Sequence, residues 1–187
     1  INAKSILVGR DFRFGKDRGA GVEEIKKSGI KVIALDEVKY FSKRVSSTII
    51  RNALADADFS LAKELLGRNY SISGTVVHGE KIGRKIGFPT ANIHMHHKHP
   101  PLIGVFAVKL DNKFGLANLG TRPTVSGEKK LHLEVHVLNF SDDLYGKHVH
   151  VQFLKKIRDE FQFESIEALK LQIKQDILTA KEYINKL

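Results

Sequence analysis

The chain has 187 residues, 42% of them hydrophobic and 28% charged, and carries a formal net charge of +10 from 31 Lys and Arg against 21 Asp and Glu. That length accommodates one or two domains with a real core, and no apolar run reaches the roughly 18 residues of a transmembrane helix. The absence of cysteine excludes disulfides, thiolate metal sites and cysteine nucleophiles, and it fits a reducing, cytoplasmic setting. The basic excess is spread along the chain rather than gathered in a tail, so it favours anionic partners without naming one.

The first third reads as alternating α/β. Ser5–Val8 and Lys31–Leu35 are short apolar strands; between them lie the glycine-punctuated loop Gly9–Gly21 and a helix over Val22–Ser28, closed by Gly29. Ser46, Ser47 and Thr48 cap a helix running to about Ala55, and Asp58 caps another that ends at Gly67. Two strands are too few for a parallel sheet. With no initiator Met either, residues 1–66 are expected to be the later part of a longer α/β unit.

From Tyr70 the period changes to that of strands. Ser71–Val77, Ala91–His94, Ile103–Leu110, Phe114–Leu119, Leu131–Phe140 and Lys147–Leu154 are short alternating or apolar runs separated by turn signals, among them Asp111-Asn112-Lys113 and Tyr145-Gly146. Six such strands with few helices suggest a small closed barrel over 67–187. The tail is a helix whose stripe of Ile166, Leu169, Ile173, Ile177, Ala180, Ile184 and Leu187 is expected to pack on the barrel.

The stretch from His78 to Asn92 carries the most chemistry. Gly79, Gly83 and Gly87 recur every four residues, with Lys81, Arg84 and Lys85 between them. Glycines let backbone N–H groups approach an anion and the cations supply charge, although no Gly-Lys-Ser/Thr follows to make a P-loop. Pro89 leads into Thr90-Ala91-Asn92; on a strand, Thr90 and Asn92 share one face and offer oxygen ligands suited to Mg²⁺. A glycine-rich turn leading into a plain strand start is the alternative. In Leu131–Val137, Leu133, Val135 and Val137 alternate with His132, Glu134 and His136. A mid-strand carboxylate lies either on an exposed face or near a substrate hydroxyl as a general base.

Gly87-Phe-Pro-Thr-Ala-Asn92, Gly120-Thr-Arg-Pro-Thr124, Glu134-x-His136, Leu144-Tyr-Gly146 and Ile157-Arg-Asp-Glu160 follow in that order. The series resembles the riboflavin kinase module of bacterial bifunctional riboflavin kinase/FAD synthetases, from about Gly67 to the C-terminus. Val8–Lys16 and Ser46–Arg51 resemble the later half of the same family's adenylyltransferase domain. The resemblance implies a partial Rossmann-like nucleotidyltransferase segment over 1–66, then a six-stranded antiparallel Greek-key β-barrel with a C-terminal α-helix over 67–187.

It also implies the chemistry. The γ-phosphoryl of MgATP would pass to the 5′-hydroxyl of riboflavin to give FMN, which the full-length protein would adenylylate to FAD. Glu134 would take the hydroxyl proton. Gly79, Lys81, Gly83, Arg84, Gly87, Thr90 and Asn92 would hold ATP, with Thr90 and Asn92 as Mg²⁺ ligands. Val137, Asn139, Tyr145 and Arg158 fall where the family contacts flavin, although alternation puts Val137 and Asn139 on the face opposite Glu134. Asp11, Phe12, Ser47, Thr48 and Arg51 would belong to the adenylyltransferase site. The family's His-x-Gly-His-type motif has no counterpart here: all nine histidines lie at or after residue 78, so these residues alone are expected to make little FAD.

Two other readings weigh against this one. The run His94-Met-His-His-Lys-His99 suggests a metal site, but its ligand spacing is undefined and a solvated loop is expected. A basic barrel also suits single-stranded nucleic acid, yet that function wants aromatics interleaved with cations on one sheet face, and the Phe and Tyr residues mostly sit in apolar runs or turns. Neither nucleic acid nor membrane is expected as a partner, and the oligomeric state is left open.

Overall fold

The computed structural model describes residues 3–95, 100–123 and 129–187, and divides into two compact units between Ser47 and Thr48. In the first, β1 (Ser5–Gly9) pairs in parallel with β2 (Lys31–Leu35), Ser5 opposite Lys31 and Gly9 opposite Leu35. The intervening α1 (Val22–Lys27) buries Val22 and Ile25, and the Glu24 carboxylate accepts from the Gly21 N–H at 2.7 Å to fix its first turn. A hairpin of β3 (Lys39–Tyr40) and β4 (Lys43–Arg44) follows. Its two-residue turn carries no Asn or Gly signal, because Phe41 itself adopts φ +43°.

The second unit opens with two helices. These are α2 (Ser47–Ala55), which begins at the division, and α3 (Phe59–Leu66). The Asp58 carboxylate accepts from Leu61 N–H at 2.9 Å and Gly67 ends α3 at φ +68°, which is the start and stop that the sequence announces. Ala53, Leu54 and Ala62 are buried in the same cluster as the barrel interior, so these helices share the barrel's core.

Six strands close the barrel: β5 (Ser71–Val77), β6 (Ala91–Met95), β7 (Gly104–Leu110), β8 (Lys113–Pro123), β9 (Lys129–Val137) and β10 (His148–Arg158). Their order is β10-β5-β6-β9-β8-β7, with every pairing antiparallel. The meander β7-β8-β9 with β6 returned beside β9 is a Greek key. Alternation decides the faces: Val76, Phe106, Val108, Leu133, Val135, Val151 and Phe153 fill the interior, while their neighbours point outward.

The glycine-rich segment, read from sequence as a loop, contains a one-turn helix, α4 (Ile82–Lys85). The last helix, α5 (Ile166–Ile184), starts where the Ser165 hydroxyl accepts from Ala168 N–H at 3.1 Å. Ile177, Ala180 and Ile184 cover Val105, Ala107 and Leu116 on the barrel's outer face. The stripe is not uniformly buried: Ile166 is 57% and Leu187 72% exposed. Two bulges in β10 shift its register so that Arg158 pairs with Val105 in that outer row. Of the histidine run, His94 lies in β6 and His96–His99 lie outside the described residues.

Candidate active site

Strands β6, β9 and β8 lie side by side, and their register puts Asn92, Glu134 and Asn118 in one row. Leu133 and Val135 point into the barrel, so Glu134 faces out, flanked by an amide on each side at cross-strand spacing of about 5 Å. Thr90, just before β6, donates from Oγ1 to Glu134 Oε2 at 3.4 Å, while Ala91 packs on the interior cluster. Thr90 and Asn92 therefore come to the side of Glu134, as strand alternation requires.

Neighbouring groups hold this arrangement in place. His136 Nδ1 lies 2.8 Å from the Pro89 carbonyl; a carbonyl only accepts, so Nδ1 carries the proton. The Phe88 ring meets His136 edge-on at 5.8 Å. The glycines above act by their small size. A Cβ on Gly79 would overlap the Asn92 amide, and one on Gly83 would overlap the Phe88 carbonyl and reach within 3.3 Å of Thr90 Oγ1. Gly87 turns the chain at φ +93°. The loop thus lies directly on the Thr90–Asn92 segment.

Two cavities share Thr90 as a wall. The first, about 480 Å³, is lined among others by Val76, Arg84, Val137, Asp142 and Tyr145. The second, about 260 Å³, brings Glu134, Asn118, Arg158 and Glu160 together with an apolar wall that includes Phe161 and Ile173. Arg158 is fixed there. Its Nε donates to both oxygens of Asp176 at 3.0 Å and its Nη2 to Oδ2 at 2.9 Å, and Gln172 Nε2 donates to Asp176 Oδ1 at 2.8 Å. The rings of Phe161 and Phe163 lie 4.5 and 5.5 Å from the guanidinium carbon.

The residues expected beside flavin are divided by this geometry. Arg158 lines the second cavity, Val137 and Tyr145 line the first, and Asn139 lies at a separate cleft with Lys113 and Lys181. Tyr145 also packs on His78, with ring centroids 3.9 Å apart. Of the expected ATP residues, Arg84 lines the first cavity, Gly83 the second and Thr90 both. Gly79 and Gly87 shape the loop, and Lys81 precedes α4 in left-handed backbone at φ +57°.

In the first unit Asp11 accepts from Arg44 Nη2 at 2.6 Å, and that hydrogen bond holds its carboxyl below the ordinary carboxylate range. Phe12 stacks on Phe14 with centroids 5.8 Å apart. Ser47 opens α2, with Thr48 and Arg51 following in its first turns. Among the described residues no group of three His, Asp or Glu could hold a metal. The hard oxygens that gather are those of Thr90, Asn92 and Glu134, a set suited to a cation that draws much of its shell from phosphates and water. Sequence reading gave no site role to His136, Asn118, Glu160, Phe161, Ile173 and Asp176; the Glu134-x-His136 and Ile157-Arg-Asp-Glu160 motifs named His136 and Glu160 without one.

A family model described as flavokinase, riboflavin kinase, matches residues 66–184, which contain both cavities. The chain belongs to the riboflavin kinase family. It is 44% identical over 189 residues to the bifunctional riboflavin kinase/FMN adenylyltransferase of Pseudomonas fluorescens, a match covering 97% of this chain and 61% of that protein. Its identity to the Escherichia coli K12 protein of the same description is 45% over 192 residues, covering 98% and 61%. The riboflavin kinase family chain thus spans about three fifths of the length of the curated relatives it matches. A Streptococcus pneumoniae crystal structure described as a macrolide-efflux protein superposes with a TM-score of 0.73 at 34% identity, over 96% of this chain and 60% of that one. Among the described residues of this family member, no helix is long and apolar enough to cross a membrane.

Proposed function

We propose that residues 67–187 form a kinase that transfers the γ-phosphoryl of MgATP to the ribityl 5′-hydroxyl of riboflavin, giving FMN and ADP. One observation carries this reading: Thr90 borders both cavities and hydrogen-bonds Glu134, so a donor on one side and an acceptor on the other meet at a hydroxyl and a carboxylate. In this reading the nucleotide occupies the first cavity, against Val137 and Tyr145, with Arg84 near its phosphates. The flavin ring occupies the second, against Phe161, Phe163 and Arg158, and its ribityl chain runs toward Glu134.

Phosphoryl transfer asks for positioning and charge neutralisation more than covalent work. Glu134 accepts the proton of the attacking hydroxyl as that oxygen bonds to the γ-phosphorus and the bond to the β-phosphate oxygen breaks. Thr90 and Asn92 are the residues that would hold Mg²⁺, which when bound supplies neutralisation of the β- and γ-phosphate charge. The His136–Pro89 hydrogen bond keeps Thr90 in register with Glu134. An ATP-dependent reaction of this kind belongs in the cytoplasm.

Residues 1–66 we read as part of an FMN adenylyltransferase domain, with Asp11, Phe12, Ser47, Thr48 and Arg51 as its candidate ATP- or flavin-contacting residues. The support is the likeness to bifunctional relatives across almost the whole chain. FAD formation is a property proposed for the full-length protein. Incubation of the 187-residue chain with riboflavin, ATP and Mg²⁺, with FMN read by chromatography, tests the kinase assignment. Riboflavin-dependent ADP and FMN are expected in equal amounts, and failure to form them overturns the assignment.

A further inference from the structure

Glu160 stands at the second cavity outside the groups given a part in the reaction. Its carboxylate accepts from Asn118 Nδ2 at 3.1 Å, and Asn118 is the register neighbour of Glu134. Two residues further along β8, on the same face, Gly120 provides the seat. A Cβ there would overlap all three terminal atoms of the Glu160 carboxyl group. The backbone at Gly120 is not left-handed, so the missing side chain has a spatial reason: it lets the carboxylate lie flat on β8.

The outcome is a line of polar groups along one face. Glu134 leads, Asn118 follows, and Glu160 sits beside the clamp of Arg158 and Phe161. A carboxylate offers about four lone-pair sites, and one hydrogen bond from Asn118 uses only one of them. An acceptor with a ring at the clamp and its reacting hydroxyl at Glu134 would pass its intervening hydroxyls across Glu160.

Resting on the riboflavin kinase reading, we propose that Glu160, seated on Gly120 and held by Asn118, is a specificity-determining residue of the acceptor site. It accepts a hydrogen bond from a secondary hydroxyl of the substrate's polyol chain. The cavity thereby selects a polyhydroxylated tail over a plain hydroxyalkyl one. Selection arises because the secondary hydroxyl gains a hydrogen bond to a charged acceptor, a contact that an acceptor lacking that hydroxyl cannot make.

The test compares kcat/KM for riboflavin with that for an isoalloxazine bearing a 5-hydroxypentyl chain, which keeps only the terminal hydroxyl. Glu160→Ala should lower the riboflavin value by between about tenfold and a hundredfold and leave the analogue's within about twofold. Gly120→Ala should act the same way by pushing the carboxylate off its seat. Combining the two should add nothing further, because both remove one interaction. Glu160→Gln, whose amide oxygen still accepts, should fall between. Thermal midpoints taken alongside separate this from unfolding. Equal losses for both acceptors, no loss for either, or additive effects of the two substitutions overturn the proposal. Absence of FMN formation by the unsubstituted chain would instead overturn the kinase reading itself.

Discussion

The Thr90 hydroxyl and the Glu134 carboxylate meet at 3.4 Å, joining the start of β6 to the middle of β9 at the wall between two cavities. The contact spans 44 residues of sequence and exists because β6 and β9, far apart in the chain, are neighbours in the barrel. Thr90 is thereby placed to touch what lies on either side.

Removing that hydroxyl should weaken metal use before it weakens the fold. Thr90→Ala should raise the Mg²⁺ concentration for half-maximal FMN formation by about fivefold to tenfold, the effect of one lost oxygen contact. Thr90→Ser should restore it. A Mg²⁺ titration superimposable on that of the unsubstituted chain would reduce Thr90 to a strand-starting residue.

Asp176 is 2% exposed and holds Arg158 through both carboxylate oxygens. Asp176→Ala strands a guanidinium that is itself largely buried, which should cost about 3–5 kcal/mol. Urea unfolding measures this as a lower midpoint with an unchanged m-value. Asp176→Asn, which keeps one acceptor oxygen, should cost less. The same variants should raise the KM for riboflavin more than that for ATP, since Arg158 lines only the second of the two cavities.

Burial raises the Tyr70 phenol above its ordinary pKa of 10.0. The folded chain therefore holds that proton more tightly than the unfolded chain does. The contribution is fully present below about pH 10 and is lost as pH rises through the folded value. Tyr70→Phe should accordingly flatten the alkaline fall in stability above pH 10 while changing little at pH 7. Chemical denaturation across that range checks it, and an unchanged alkaline slope counts against the buried phenol.

The barrel was legible because its strands alternate: each expected strand is present, with ends moved by a few residues where β8 and β10 run on and β9 starts earlier and stops at Val137. Caps at Asp58 and Gly67 were equally plain, since a carboxylate acceptor and a left-handed glycine are local requirements. What sequence could not supply was adjacency. Asn118 carries no mark of its own and Glu160 only its place in a motif; pairing of β8 with β9 brings Asn118 beside Glu134, and Asn118 in turn holds Glu160. The bulges of β10 are likewise invisible to a period-two reading, yet they set the row in which Arg158 lies. The glycine loop was legible as special, but its main structural demand is close packing on Asn92 and Phe88.

The same pairing explains why Val137 and Tyr145 line a different cavity from Arg158. Val137 is on the inner face of β9, three residues from the outward Glu134, and the β9–β10 connection carries Tyr145 to that inner side. Val137→Trp should therefore raise the KM for ATP and leave that for riboflavin nearly unaltered, in steady-state assays varying each substrate in turn. The reverse pattern would return Val137 to the flavin.

Turnover of Glu134→Gln is the most direct measurement, because the substitution keeps shape and hydrogen bonding while removing the proton acceptor. With saturating riboflavin and MgATP, FMN formation should fall by about a hundredfold to ten-thousandfold while the dissociation constant for MgATP stays within about twofold. A Glu134→Gln chain that turns over at the rate of the unsubstituted one would contradict the account.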